Sequence, residues 1–229
     1  MIPIGDDDSG RLTRPYVTYL LIAINVLAFL FEITRPSEAA LQGFFMKWAV
    51  LPQEYAKHAD LPPQIPFPFW FTLFTSMFLH GGWMHLIGNM LFLWVFGDNI
   101  EDRWGHLKYL VIYLICGVAA SLTHIFFNLN SSLPSLGASG AFSGILGAYL
   151  VLFPKNRIRV LSRMGVVQVP AIVMLGFWIL LQFISQMAQM GRTTESSGVA
   201  YWAHIGGFLA GIIFAFLFGR RSPNVRPAM

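Results

Sequence analysis

The chain has 229 residues, of which 55% are hydrophobic and only 11% charged, with a mean hydropathy of +0.59. Soluble domains carry about 25% charged residues, so there are too few charges to cover a water-facing surface. The composition implies an integral membrane protein of one domain. The net charge of +4 calls for no nucleic-acid partner, because the basic residues lie where membrane topology places them. The single cysteine, Cys116, excludes an internal disulfide and reads as a small buried hydrophobe.

In chain order, residues 1–15 are a short polar segment, with Asp6-Asp7-Asp8 followed by Arg11 and Arg14, and are expected to be loose. Residues 16–33 form the first apolar run, and 18 helical residues reach roughly 27 Å, enough to cross the hydrocarbon. The run is long for a signal peptide and no cleavage site follows, so it is expected to be retained. Residues 36–69 are a long connection. The four prolines within 62–68 exclude a helix there, and the aromatic residues around Trp70 suit a headgroup interface.

Five more apolar runs follow, at 84–99, 107–127, 139–153, 166–187 and 201–218. The expected fold is therefore all-α, a bundle of six transmembrane helices occupying 16–219, with a basic tail at 220–229. With the N-terminus inside, the cytoplasmic segments hold eleven of the fifteen Lys and Arg residues and the outer ones four. The positive-inside bias thus puts both termini in the cytoplasm.

Under that topology the second, fourth and sixth runs all enter from the outer side. His85 and Asn89, then Ser139, then His204 lie at their outer ends, at similar depth. Small residues recur every four positions on the fourth run (Gly140, Gly144, Ala148) and on the sixth (Ala203, Gly207, Gly211, Ala215). Such stripes let helix backbones approach closely. A glycine-flanked serine in a membrane helix serves either packing or chemistry, and here an approach of the two helices brings an imidazole within reach of the hydroxyl. A serine needs such a base, being a weak nucleophile alone. No carboxylate has a spacing that sets it against His204, so a Ser–His dyad is favoured over a triad. His85 and Asn89 stand at i and i+4, on one helical face, as hydrogen-bond donors for an oxyanion, with the Ser139 amide as another. The G-x-S-x-G pattern of soluble hydrolases is not met, and metal ligation by His80 and His85 is the disfavoured alternative, since there is no HExxH and no acidic ligand nearby.

Three stretches together resemble the rhomboid family of intramembrane serine proteases: Gly137-Ala138-Ser139-Gly140, the run from Ala203-His204 to Gly211, and the run from His80-Gly81-Gly82 through His85 to Asn89. The resemblance implies peptide-bond hydrolysis in transmembrane segments of other proteins, near the outer face. Ser139 would be the nucleophile, His204 the base, and His85 and Asn89 oxyanion donors, with no metal or cofactor. A Trp-Arg pair frequent in the family is replaced here by Trp70-Phe71-Thr72. The expected location is the bacterial inner membrane. Residues 189–200 are expected to cap the site, and the aromatic fifth run (Phe177, Trp178, Phe183) to border substrate entry. The rival reading is a non-catalytic relative that only binds transmembrane segments.

Overall fold

Helix α7 (Ser139–Leu152) lies at the centre of the computed structural model, which describes residues 2–163, 165–190 and 199–219. Every residue from Gly140 to Tyr149 is buried. Its 14 residues span only about 21 Å, and helices pack on it from several sides. The glycines explain how they come so close. A Cβ on Gly207 would stand 2.0 Å from the Gly140 carbonyl oxygen, and one on Gly211 1.8 Å from that of Gly144. So α7 and α9 (Tyr201–Phe218), the most closely packed helix pair, touch backbone to backbone. Helix α6 (His106–Phe127) closes the third side: a Cβ on Gly144 would meet Cys116 at 2.4 Å, and one on Gly140 would meet Ala120 at 2.7 Å.

The other helices are α1 (Tyr16–Glu32), α2 (Glu38–Trp48), α3 (Pro52–Lys57), α4 (Thr72–Thr75), α5 (Trp83–Trp104) and α8 (Ala171–Met190). By length and apolar composition, α6, α8 and α9 can each cross a membrane, and α1 and α7 are shorter apolar helices. The chain is therefore a mostly helical, multi-pass membrane protein. The 36–69 connection is not featureless: α2 and α3 lie within it, and Phe45 and Ala49 pack with Leu79 in a small core of their own. The proline-rich stretch itself is non-helical.

The expectation of a purely helical fold is corrected in one place. Strands β1 (Ile2–Gly5), β2 (Arg157–Ser162) and β3 (Gly165–Pro170) form a three-stranded antiparallel sheet in that order. Ile158 pairs with Val169 and Val160 with Val167, while Pro3 pairs with Val160 from the other side. The N-terminal segment is thus ordered, and the fifth helix begins at Ala171 rather than at 166. Arg157-Ile158-Arg159-Val160 alternates charged and apolar residues, the period-2 signal of a half-buried strand, and Ile158 and Val160 are fully buried.

The second helix also runs further than its apolar stretch. Helix α5 continues through Asp98, Glu101 and Asp102 to Trp104, stopping at Gly105 with φ +79. These acidic residues are helical, not in a loop. Glu101 is fully buried and accepts from the Val17 and Thr18 amides at 2.8 and 2.7 Å and from the Thr18 hydroxyl at 2.7 Å. It satisfies the otherwise orphaned first-turn donors of α1, where negative charge is also favoured by the helix dipole.

Candidate active site

Ser139 is the first residue of α7, and the chain reaches it through Gly137, whose φ of +126 lies where L side chains are disfavoured. The Gly137 amide donates to the Ser76 carbonyl at 2.8 Å, which anchors the turn against the segment preceding α5. Space is short as well. A Cβ there would stand 2.8 Å from both His85 Cε1 and Nε2, and 3.5 Å from Ser139 Oγ. The imidazole of His85 and the hydroxyl of Ser139 therefore flank one point, with only glycine between them.

A narrow cleft of about 20 Å³ opens beside Ser139, bordered by Gly137, Ser76, Met77, Ala200 and Ala203. Ala203 immediately precedes His204 on α9, and a Cβ on Gly140 would lie 3.8 Å from that of Ala203. The helix carrying the histidine thus begins against the helix carrying the serine. No hydrogen bond joins Ser139 to His204 in this arrangement. Instead His204 Nδ1 is bonded to Gln182 Oε1 of α8 at 2.8 Å, and its ring lies beside Trp178, centroids 5.8 Å apart. Ser139 lends its backbone carbonyl to the Ser143 hydroxyl at 2.5 Å.

Asn89 is buried one turn further along α5 from His85. Its Nδ2 donates to His80 Nε2 at 2.9 Å, leaving its second amide hydrogen for another acceptor. The His80 ring stands 5.1 Å from that of His85, centroid to centroid. The His80 backbone amide donates to both oxygens of Glu32 at 3.2 and 3.1 Å, so the buried carboxylate ending α1 fixes the segment before α5. Gln182 carries no signal in the sequence, and the contacts of His80 and Glu32 are not legible there, although His80 belongs to the matching motif and Glu32 is the one acidic residue at the end of an apolar run. The partners of Glu32 and Gln182 are distant in the chain.

The remaining histidines with partners serve local structure: His106 Nδ1 pairs with Glu101, and Asn128 Nδ2 donates to the His124 carbonyl at 2.8 Å. Of the fifth-run aromatics, Phe177 and Phe183 are exposed on the outside of α8, whereas Trp178 turns inward toward Phe92 and Phe208. The expected cap falls largely on residues 191–198, which lie outside the described residues, as does the tail 220–229.

The family model described as the Rhomboid domain matches residues 68–221. Among curated proteins, the chain is 34% identical over 208 residues to the rhomboid protease GluP of Bacillus subtilis, covering 90% of this chain and 35% of that protein. It is 34% identical over 150 residues to rhomboid-like protease 5 of Toxoplasma gondii, covering 64% of this chain and 16% of that one. With the mitochondrial rhomboid protein 1 of Saccharomyces cerevisiae it shares 28% identity over 211 residues, 89% of this chain and 54% of the other. The chain thus spans between about one sixth and one half of the length of these relatives.

Proposed function

Because this chain belongs to the rhomboid family, we propose that it is an intramembrane serine endopeptidase that cuts transmembrane segments of other membrane proteins near the outer face. In this reading α1, α5, α6, α7, α8 and α9 are six spans with both termini in the cytoplasm. The basic bias of the inner segments supports that orientation. The bacterial inner membrane is the proposed location, and the mitochondrial and chloroplastic relatives mark the organelle alternatives.

The observation that carries the proposal is the setting of Gly137, where His85 and the Ser139 hydroxyl border one glycine-sized space. Ser139 Oγ attacks the scissile carbonyl carbon while His204 takes its proton. The carbonyl oxygen becomes an oxyanion facing His85, Asn89 and the Ser139 amide, donors whose value rises in a water-poor site. His204 then returns the proton to the departing amine, leaving an ester on Ser139. A water, deprotonated by the same imidazole, hydrolyses that ester. A small residue before the scissile bond suits the narrow cleft beside Ser139.

The test is cleavage of a reporter transmembrane segment by the purified chain in detergent, against Ser139→Ala. The wild type should cut and the variant fall by about 10⁴-fold or more, as loss of a nucleophile does. Equal cleavage by both refutes Ser139 as the nucleophile, and cleavage by neither favours the rival in which the chain only binds transmembrane segments.

A further inference from the structure

Two residues of α8 address the same imidazole. Trp178 and Gln182 are spaced i and i+4, hence on one face of the helix. Trp178 lays its ring beside His204, with 33° between the planes, and packs on Phe208 as well. Gln182 reaches His204 Nδ1 with its side-chain amide at 2.8 Å. The sense of that amide is set by its other end. Nε2 of Gln182 donates to the Trp178 carbonyl at 3.4 Å, and a carbonyl oxygen can only accept. Oε1 is therefore the atom turned to His204, and an amide oxygen likewise only accepts.

The consequence falls on the proton of the imidazole. If Oε1 accepts from Nδ1, then Nδ1 carries the hydrogen, and the neutral ring keeps its lone pair on Nε2. A general base must have a lone pair facing the hydroxyl it deprotonates. We propose that Gln182 is a positioning residue that holds His204 in the Nδ1–H tautomer and fixes its ring plane, so that Nε2 is the nitrogen offered to Ser139. The inference rests on the serine-protease reading for its purpose, though not for its geometry. It supplies from α8 the orienting third group that no carboxylate provides. When His204 takes the serine proton, Nδ1–H still donates to Gln182, now as a charge-assisted hydrogen bond. A neutral amide can do this without placing another charge in the membrane, where charges are costly.

The test uses the full chain in detergent micelles with a transmembrane reporter. Gln182→Leu keeps the size and removes the acceptor, with Gln182→Met as a second such variant should the leucine fail to fold. Gln182→Glu keeps an acceptor. Cleavage by Leu or Met variants should fall at least tenfold in kcat with KM unchanged, bounded by the roughly 10²–10⁴-fold that general acid–base catalysis contributes. Gln182→Glu should recover most of that loss. Independently of turnover, ¹⁵N NMR of the imidazoles, with His204 assigned by difference against His204→Asn, should report the Nδ1–H tautomer in the wild type. The Leu variant should lose that preference. An Nε2–H tautomer in the wild type, or wild-type kcat in Gln182→Leu, overturns the inference. Equal cleavage by wild type and Ser139→Ala overturns the protease reading instead, and the tautomer measurement then still decides the role of Gln182.

Discussion

Gly137 combines two demands that no other residue type meets. Its φ of +126 disfavours any L side chain, and a Cβ would intrude on the His85 ring at 2.8 Å. Gly137→Ala is therefore expected to push His85 away from Ser139 while leaving the helices folded. Losing one oxyanion donor costs about 10²–10³ in rate. Cleavage of a reporter segment should fall by that order, with an unchanged circular-dichroism spectrum; undiminished cleavage would remove His85 from the site. Glu101 is the second residue on which much depends. It is fully buried and serves two backbone amides and a hydroxyl of α1. Each buried amide left unpaired costs about 1–3 kcal/mol, so Glu101→Ala, which strands two, should lower stability by about 2–6 kcal/mol. A marked drop in the melting temperature in detergent checks this, with Gln a milder change than Ala.

Among the elements, α7 and α9 act as a unit because glycine backbones replace side chains at their contact. A Cβ on Gly207 would sit 2.0 Å from the Gly140 oxygen, a separation that no real Cβ tolerates. The neighbour is backbone, so relief requires the helices to move apart. His204 lies one turn before Gly207, and such a shift carries it away from Ser139. A displacement near 1 Å can cost about 10²-fold in rate. Gly207→Ala should thus impair cleavage by about that factor, although residue 207 holds no reacting atom. Undiminished turnover at normal expression would show that close packing is not what brings the proposed base and nucleophile together.

For the molecule as a whole, the N-terminal segment ties distant elements at the expected cytoplasmic end. β1 completes the sheet with the β2–β3 hairpin, and the buried Asp6 that follows accepts from Asn99 at 2.6 Å and from the Tyr149 hydroxyl. The two partners belong to α5 and α7, so one carboxyl joins both to the sheet. Burial, aided by the nearby Asp8, lifts the Asp6 pKa from an ordinary 3.8 to about 7, against the lowering effect of Tyr149 and Asn99. The folded protein then binds more protons here than the unfolded chain between those values. The contribution is full below about 4 and is lost as pH rises through about 7. Melting temperatures should decline over that interval in the wild type, and Asp6→Asn should flatten the decline. Asp98 stands close to Asp6 and pairs with Arg11, so the slope should be compared in an Arg11-intact background.

Composition and hydropathy alone determined that this chain lives in a membrane and is mostly helical, because the cost of an uncovered charge or an unpaired amide in lipid leaves few alternatives. Four-residue repeats of Gly and Ala pointed to the contact of α7 with α9, since close approach needs small residues at helical spacing. Ser139, His204, His85 and Asn89 stood out because polar side chains are rare in such surroundings. Tertiary structure decided the rest. The alternation in Arg157-Ile158-Arg159-Val160 was a legible strand signal, but its partner at Ile2–Gly5 is some 150 positions away and nothing local foretold the pairing. Glu101 sits beside the amides of Val17 and Thr18, and Gln182 meets His204 from another helix, through contacts that cross the bundle. Periodicity reports which face of an element is buried; which donor meets which acceptor is settled only when the elements pack.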